Sequence, residues 1–156
     1  MLPSSPDKDL RHQLGPSQSS AEGYLGNDCR SPEAIVEEDK NELARLEVTA
    51  EKIAKALRES YVKAERAMGN PVRLSDTLTI TYDEARGRIP SPFPGDGEFQ
   101  KGQAKLSDES SGQTFLITPL SLHLIEKYGF FQGKGSAYRI EPDVAARFVQ
   151  EMSGKK

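Results

Sequence analysis

The amino-acid sequence predicts an α+β fold: a long N-terminal amphipathic, coiled-coil-like helix followed by a small, mostly antiparallel sheet with two short helices. Three observations predict it. Apolar residues between Leu43 and Met68 recur at steps of three and four, the period of one helix face. Leu78, Ile80 and Tyr82 alternate with Thr77, Thr79 and Thr81, the period of a strand with one apolar face. Strands and helices do not alternate in a βαβ rhythm, so a parallel sheet is not expected. The implied organisation is a disordered tail over 1–31, the long helix over 32–70, the α+β domain over 71–152 and a short disordered tail over 153–156.

Residues 1–31 hold six serines, three prolines and three glycines. Leu2, Leu10, Leu14, Tyr24 and Leu25 are too scattered to build a core there, so a flexible tail is expected. Cys29 is the one cysteine; no intrachain disulfide can form, and a reducing compartment is the default.

The helix start is marked by Ser31, whose hydroxyl can accept from an orphan backbone N–H, and by Pro32, which loses no hydrogen bond in the first turn. Gly69 and Pro71 mark the stop. From Leu43 the stripe runs through Leu46, Ala50, Ile53, Leu57, Tyr61 and Ala64 to Met68. Its mean step of about 3.6 residues is close to a coiled-coil seam. Glu51–Lys55 and Glu59–Lys63 are favourable i,i+4 pairs, whereas Glu33–Glu37, Glu38–Glu42 and Glu47–Glu51 repel. Unbroken, such a helix is roughly 57 Å long, longer than the roughly 24 Å diameter expected of the residues after it. Part of the stripe is therefore expected to meet a second copy or another protein. The competing expectation is a break near Asp39–Asn41, where the stripe has a gap, with the second half packed on the chain's own sheet.

After the strand at 78–82, residues 88–97 (RIPSPFPGDG) carry too many prolines and glycines for a central strand or a helix. A surface loop is expected, with Ile89 and Phe93 pinning it to the core. Glu98–Leu106 reads as a weak strand and Gln113–Ile117 as a short apolar one, joined by the polar turn DESSG into a hairpin. Thr118–Pro119 repeats the cap-and-proline helix start. In the helix that follows, Leu120, Leu124, Ile125 and Tyr128 share a face opposite His123, Glu126 and Lys127. A second hairpin is expected across QGKGS, between Phe130–Phe131 and Ala137–Ile140, and a last helix over Pro142–Met152.

Composition removes several function classes. No apolar run is long enough to span a bilayer, and the first residues lack the apolar segment of a secretory signal. The cytoplasm is the expected location. The net charge of −3 divides into −1 over 1–31, −2 over 32–70 and zero beyond, unlike the basic footprint of most nucleic-acid binders.

Chemistry-bearing patterns are sparse. GKGS at 133–136 lacks the spacing and the following helix of a phosphate loop. The sequence holds two histidines, His12 and His123, and no ligand set at metal spacing, so neither a metal nor a cofactor is expected. Asp83–Glu84 and Asp108–Glu109 lie in polar turns, which do not raise a carboxyl's pKa as general acid work requires. No catalytic residue is assigned.

The run from Leu116 to Val149 orders a helix, a strand, a Gly/Lys turn, a strand and a helix. It resembles the helix-and-wing segment of winged-helix proteins, in which the helix enters the major groove and the wing lies on the backbone. The resemblance implies DNA contacts from Ser121, His123 and Lys127 on the helix and Lys134 and Arg139 on the wing.

The leading expectation is a small non-enzymatic protein-binding or regulatory protein. It would self-associate or hold a partner through Leu43, Leu46, Ala50, Ile53, Leu57, Tyr61, Ala64 and Met68. The alternative is a dimeric winged-helix-like DNA-binding regulator using residues 118–140. No membrane partner is expected.

Overall fold

The computed structural model describes residues 24–93 and 95–152. Of the tail expected over 1–31, residues 1–23, with Leu2, Leu10, His12 and Leu14, lie outside the described residues, as do 153–156. Four helices and two small antiparallel sheets make up the rest: α1 (Pro32–Arg45), α2 (Ala50–Arg66), β1 (Val72–Arg73), β2 (Leu78–Asp83), β3 (Arg88–Pro90), β4 (Glu98–Gln100), β5 (Gln103–Asp108), β6 (Gln113–Ile117), α3 (Pro119–Tyr128) and α4 (Pro142–Met152).

The single long helix is corrected. It is two helices of 14 and 17 residues, interrupted at Leu46–Thr49. The interruption is a Schellman turn. Leu46 is the C-cap, the Glu47 N–H donates to the Ala44 carbonyl, and the Val48 N–H donates to the Leu43 carbonyl. Glu47 takes the left-handed conformation, φ +60°, where glycine is the usual residue. Thr49 then caps α2, its hydroxyl accepting from the Lys52 N–H. The gap at Asp39–Asn41 is not a break: α1 runs through it, and Asp39 is buried. Ser31 caps α1 as expected, accepting from the Ala34 N–H.

The reversal at Glu47 folds the stripe inward. Leu43, Ile53, Leu57, Tyr61 and Ala64 are buried in the main core, with Ala50 half-buried against it. Leu46 is half-buried, and Met68 is 87% exposed just past the end of α2. The seam offered as an interface is thus spent largely on the chain's own sheet, whose order is β1-β2-β5-β6. Leu78, Ile80, Ala104, Leu106 and Ile117 supply the sheet side of that core. Strand alternation at 78–82 and the 103–117 hairpin follow the expected pattern, with Leu106 opposite Phe115 and Ile80 opposite Leu106.

The weak strand at 98–106 is divided. Its first part, β4, pairs with β3 in a separate ribbon, and its second part, β5, belongs to the main sheet. The second hairpin is absent: residues 129–141 contain turns and no strand. Tyr24–Ser31 is also corrected from tail to fold, because Tyr24, Leu25 and Asp28 are buried. Tyr24 and Leu25 help form a second core with Ile35, Phe93, Leu120, Leu124, Tyr128 and Phe130. α3 lies between the two cores, sending Leu122 and Ile125 into the first and Leu120, Leu124 and Tyr128 into the second. A wide apolar arc serving two cores leaves α3 only a narrow polar strip, His123, Glu126 and Lys127.

Candidate docking groove and its surroundings

The turn at Leu46–Thr49 separates α1 from α2, and a groove of about 580 Å³ lies between α1, the turn and the end of α3. Its floor is apolar: Val36, Leu43, Ala44, Val48 and Ala50, closed at one end by Tyr128. Its rim is charged and mostly acidic. Glu33, Glu37, Glu51 and Glu126 face Lys40 and Lys127. Lys127 is already committed, its Nζ lying 2.7 Å from the Asp96 carboxylate, so the rim's uncompensated charge is negative. Glu126 has an exposed partner in Arg58 at 3.2 Å, a contact that water screens heavily.

Asp96 organises the other side of α3. Its side chain is fully buried and accepts from Ser91 Oγ, Lys127 Nζ and the Tyr128 hydroxyl at 2.7–2.9 Å. Burial pushes its carboxyl up, but these donors outweigh burial and hold it down at about 2. His123 Nε2 sits 3.0 Å from Asp96 Oδ2 without hydrogen-bond alignment, and its ring stacks on Phe99 with centroids 4.8 Å apart. Ser91 gives its proton to Asp96, not to His123. The group therefore has a hydroxyl bound to a carboxylate but, among the described residues, no hydroxyl aligned with the imidazole. What it does visibly is fasten the Pro-rich loop: Phe93 is buried, 4.4 Å from the Tyr128 ring, as expected of a loop pinned to its own core.

The five residues assigned to DNA contact do not form one surface. Ser121 is buried in the capping box of α3, its hydroxyl accepting from the Thr118 N–H. His123 and Lys127 are turned onto Asp96. Arg139 is buried in a two-pronged pair with Asp39, at 2.9 and 3.0 Å, and also donates to the Gln132 carbonyl and to Glu141. Among the described residues, Lys134 alone of the five keeps an exposed side chain with no ion pair. Its backbone is bound, the N–H donating to Asp28 Oδ2 and the carbonyl accepting from Asn27.

The glycines of that turn serve close approach and not phosphate binding. A Cβ on Gly133 would stand 2.3 Å from the Leu25 carbonyl oxygen. Among the described residues no group of three His, Cys, Asp or Glu side chains could hold a metal ion, and no helix is long and apolar enough to cross a membrane.

The groove was missed in the sequence because it needs the reversal at Glu47. The available signal was Val48–Thr49, a β-branched pair ending in a good N-cap residue. Comparison with protein-family models, curated proteins and solved structures finds no match for this chain.

Proposed function

We propose that this chain is a non-enzymatic protein-binding module that takes a basic amphipathic helix of another protein into the groove between α1, the Leu46–Thr49 turn and α3. The observation that carries the proposal is an apolar floor inside a net-negative rim. An apolar trough accepts the apolar face of a helix, and rim charge selects and steers its partner. A second copy of this chain suits the groove poorly. The apolar faces of its helices are consumed in its own cores, and the outer face of α1 carries Glu33, Glu37 and Glu38, which would meet like charge.

The test is fluorescence anisotropy with two labelled amphipathic peptides, one Leu/Lys and one Leu/Glu, titrated with the full chain at low and physiological salt. The Leu/Lys peptide should bind more tightly, and salt should weaken it. Glu37→Lys with Glu51→Lys should lower its affinity roughly fivefold or more, given up to about 1 kcal/mol per rim pair. Equal binding of both peptides, or affinity unchanged by the two reversals, refutes the proposal.

A further inference from the structure

The main sheet ends differently on its two sides. On one side β1 is two residues long and carries the charged Arg73, a common way of keeping an edge from pairing with another chain. On the other side β6 is five residues long, QTFLI, with no charge and no proline. Its register with β5 is unbroken from Gln113 to Ile117, so no bulge bends it away. Thr114 is exposed, and Phe115 and Leu116 are half-buried. An uncharged apolar edge of this kind is a template for another strand.

The sheet's hydrogen bonds fix which groups that edge offers. In an antiparallel sheet each residue directs its N–H and C=O to one side, and the side alternates along the strand. The Glu109 N–H donates to the Thr77 carbonyl, next to the pair Leu78–Asp108. Odd-numbered residues of β5 therefore bond to β2, and Ala104, Leu106 and Asp108 bond to Ile117, Phe115 and Gln113 of β6. The N–H and C=O of Thr114 and Leu116 are left pointing outward, and they meet no partner among the described residues.

These outward groups are self-complementary. A second β6 running antiparallel, with Thr114 opposite the second copy's Leu116, satisfies all of them about a two-fold axis at Phe115. Shifting the register would oppose Leu116 to Gly112, or Thr114 to Thr118. Both of those amides are already bound: the Gly112 N–H donates to the Asp108 carbonyl and the Thr118 N–H to the Ser121 hydroxyl. In the two-fold register Phe115 faces its counterpart at the closer, non-hydrogen-bonded spacing. It does so on the core side of the sheet, where Phe148 stands with its ring centroid 6.3 Å away. On the other side of the sheet Thr114 lies against Leu116. No charge meets like charge across the pair. Lys105, opposite Leu116 on β5, would stand three strand spacings from its counterpart, about 14 Å or more, beyond the screening length of physiological salt.

We infer that two copies of this chain associate by pairing β6 with β6 across a two-fold axis at Phe115, joining their four-stranded sheets into one. The short, charged β1 then stands at both outer edges, so assembly stops at two. No β6 residue lines the groove of α1 and α3, and the inference stands apart from the peptide reading.

The test is analytical ultracentrifugation of the full chain from about 1 µM to about 1 mM, with amide hydrogen exchange read by NMR at the upper end. One short strand per copy is a small interface, so the mass should double across that range with a Kd of about 10–100 µM. Thr114→Lys sets a charge on the edge and should weaken association about tenfold or more. Thr114→Pro deletes an outward N–H without touching a bond to β5 and should abolish association while the dilute chain keeps its thermal midpoint. At about 1 mM the Leu116 amide should exchange at least about threefold more slowly in the unaltered chain than in Thr114→Lys. An unaltered chain that stays single at about 1 mM leaves the edge to a strand of another protein and overturns the inference. So do a dimer indifferent to both Thr114 variants, a dimer whose Leu116 amide exchanges as fast as in Thr114→Lys, and growth beyond two copies.

Discussion

Asp96→Asn tests whether charge, or only shape, fastens the 91–97 loop to α3. The carboxylate is fully buried and receives Ser91, Lys127 and Tyr128, with His123 in close contact. Its carboxyl falls from the ordinary 3.8 to about 2 on folding. At 1.36 kcal/mol per tenfold change in proton affinity, the charged form contributes about 2 kcal/mol at neutral pH. The folded value is the lower one, so this contribution is complete above about pH 5 and is lost as pH falls from about 4 through about 2. Asparagine removes the charge at every pH and adds a penalty that does not titrate, because its NH₂ faces donors. Urea denaturation of both chains at about pH 6 and about pH 3 separates the two effects. The gap between them should narrow by about 1 kcal/mol at the lower pH, where roughly half of the wild-type contribution remains. A gap of the same size at both values would mean that the carboxylate charge does not hold the loop.

Two other contacts carry similar leverage. Asp39→Ala leaves the buried Arg139 guanidinium with Glu141 as its remaining carboxylate partner and should cost about 1.5–3 kcal/mol in urea denaturation, and Asp39→Ala with Arg139→Met should recover much of it, because the under-paired buried charge is gone. A double variant no more stable than the single one would show that the pair is not the relevant contact. Gly133→Ala places a methyl against the Leu25 carbonyl and should cost about 1–3 kcal/mol of stability while exposing 24–30 to limited proteolysis; an unchanged cleavage pattern would contradict the close packing.

Where local chemistry settles structure, the sequence was readable. Ser31 and Thr118 cap the helices they were assigned, and the alternation at Leu78–Tyr82 put Leu78 and Ile80 in the core. The failures fall where tertiary contacts override local preference. Glutamate is a strong helix former, yet Glu47 sits left-handed, because Val48 must turn back to pack with Leu43 beside it. The stripe gave no warning: its step from Leu46 to Ala50 keeps helical spacing across the turn. Asp39 looked like a gap in an apolar face, and it is a buried position filled by an ion pair with a residue 100 positions away. The tail reading failed from Tyr24 onward because Tyr24 and Leu25 find their partners in Leu120 and Phe130, a pairing no local pattern reports.

Part of the groove was nevertheless written in the sequence as an unfavourable choice. Glu33 and Glu37 repel across one turn of α1, a cost of a few tenths of a kcal/mol that a lysine at 37 would reverse. Local choices in a foldable sequence normally agree with one another, and departures concentrate where function is served. Both glutamates stand on the groove rim, so the repulsion that weakens the helix is the charge that would attract a basic partner. Glu37→Lys therefore separates the two roles. It should leave the chain as stable or slightly more so, and at the same time weaken its hold on the Leu/Lys peptide. A residue retained only for the fold would lose stability instead, with peptide binding falling no faster than the folded fraction.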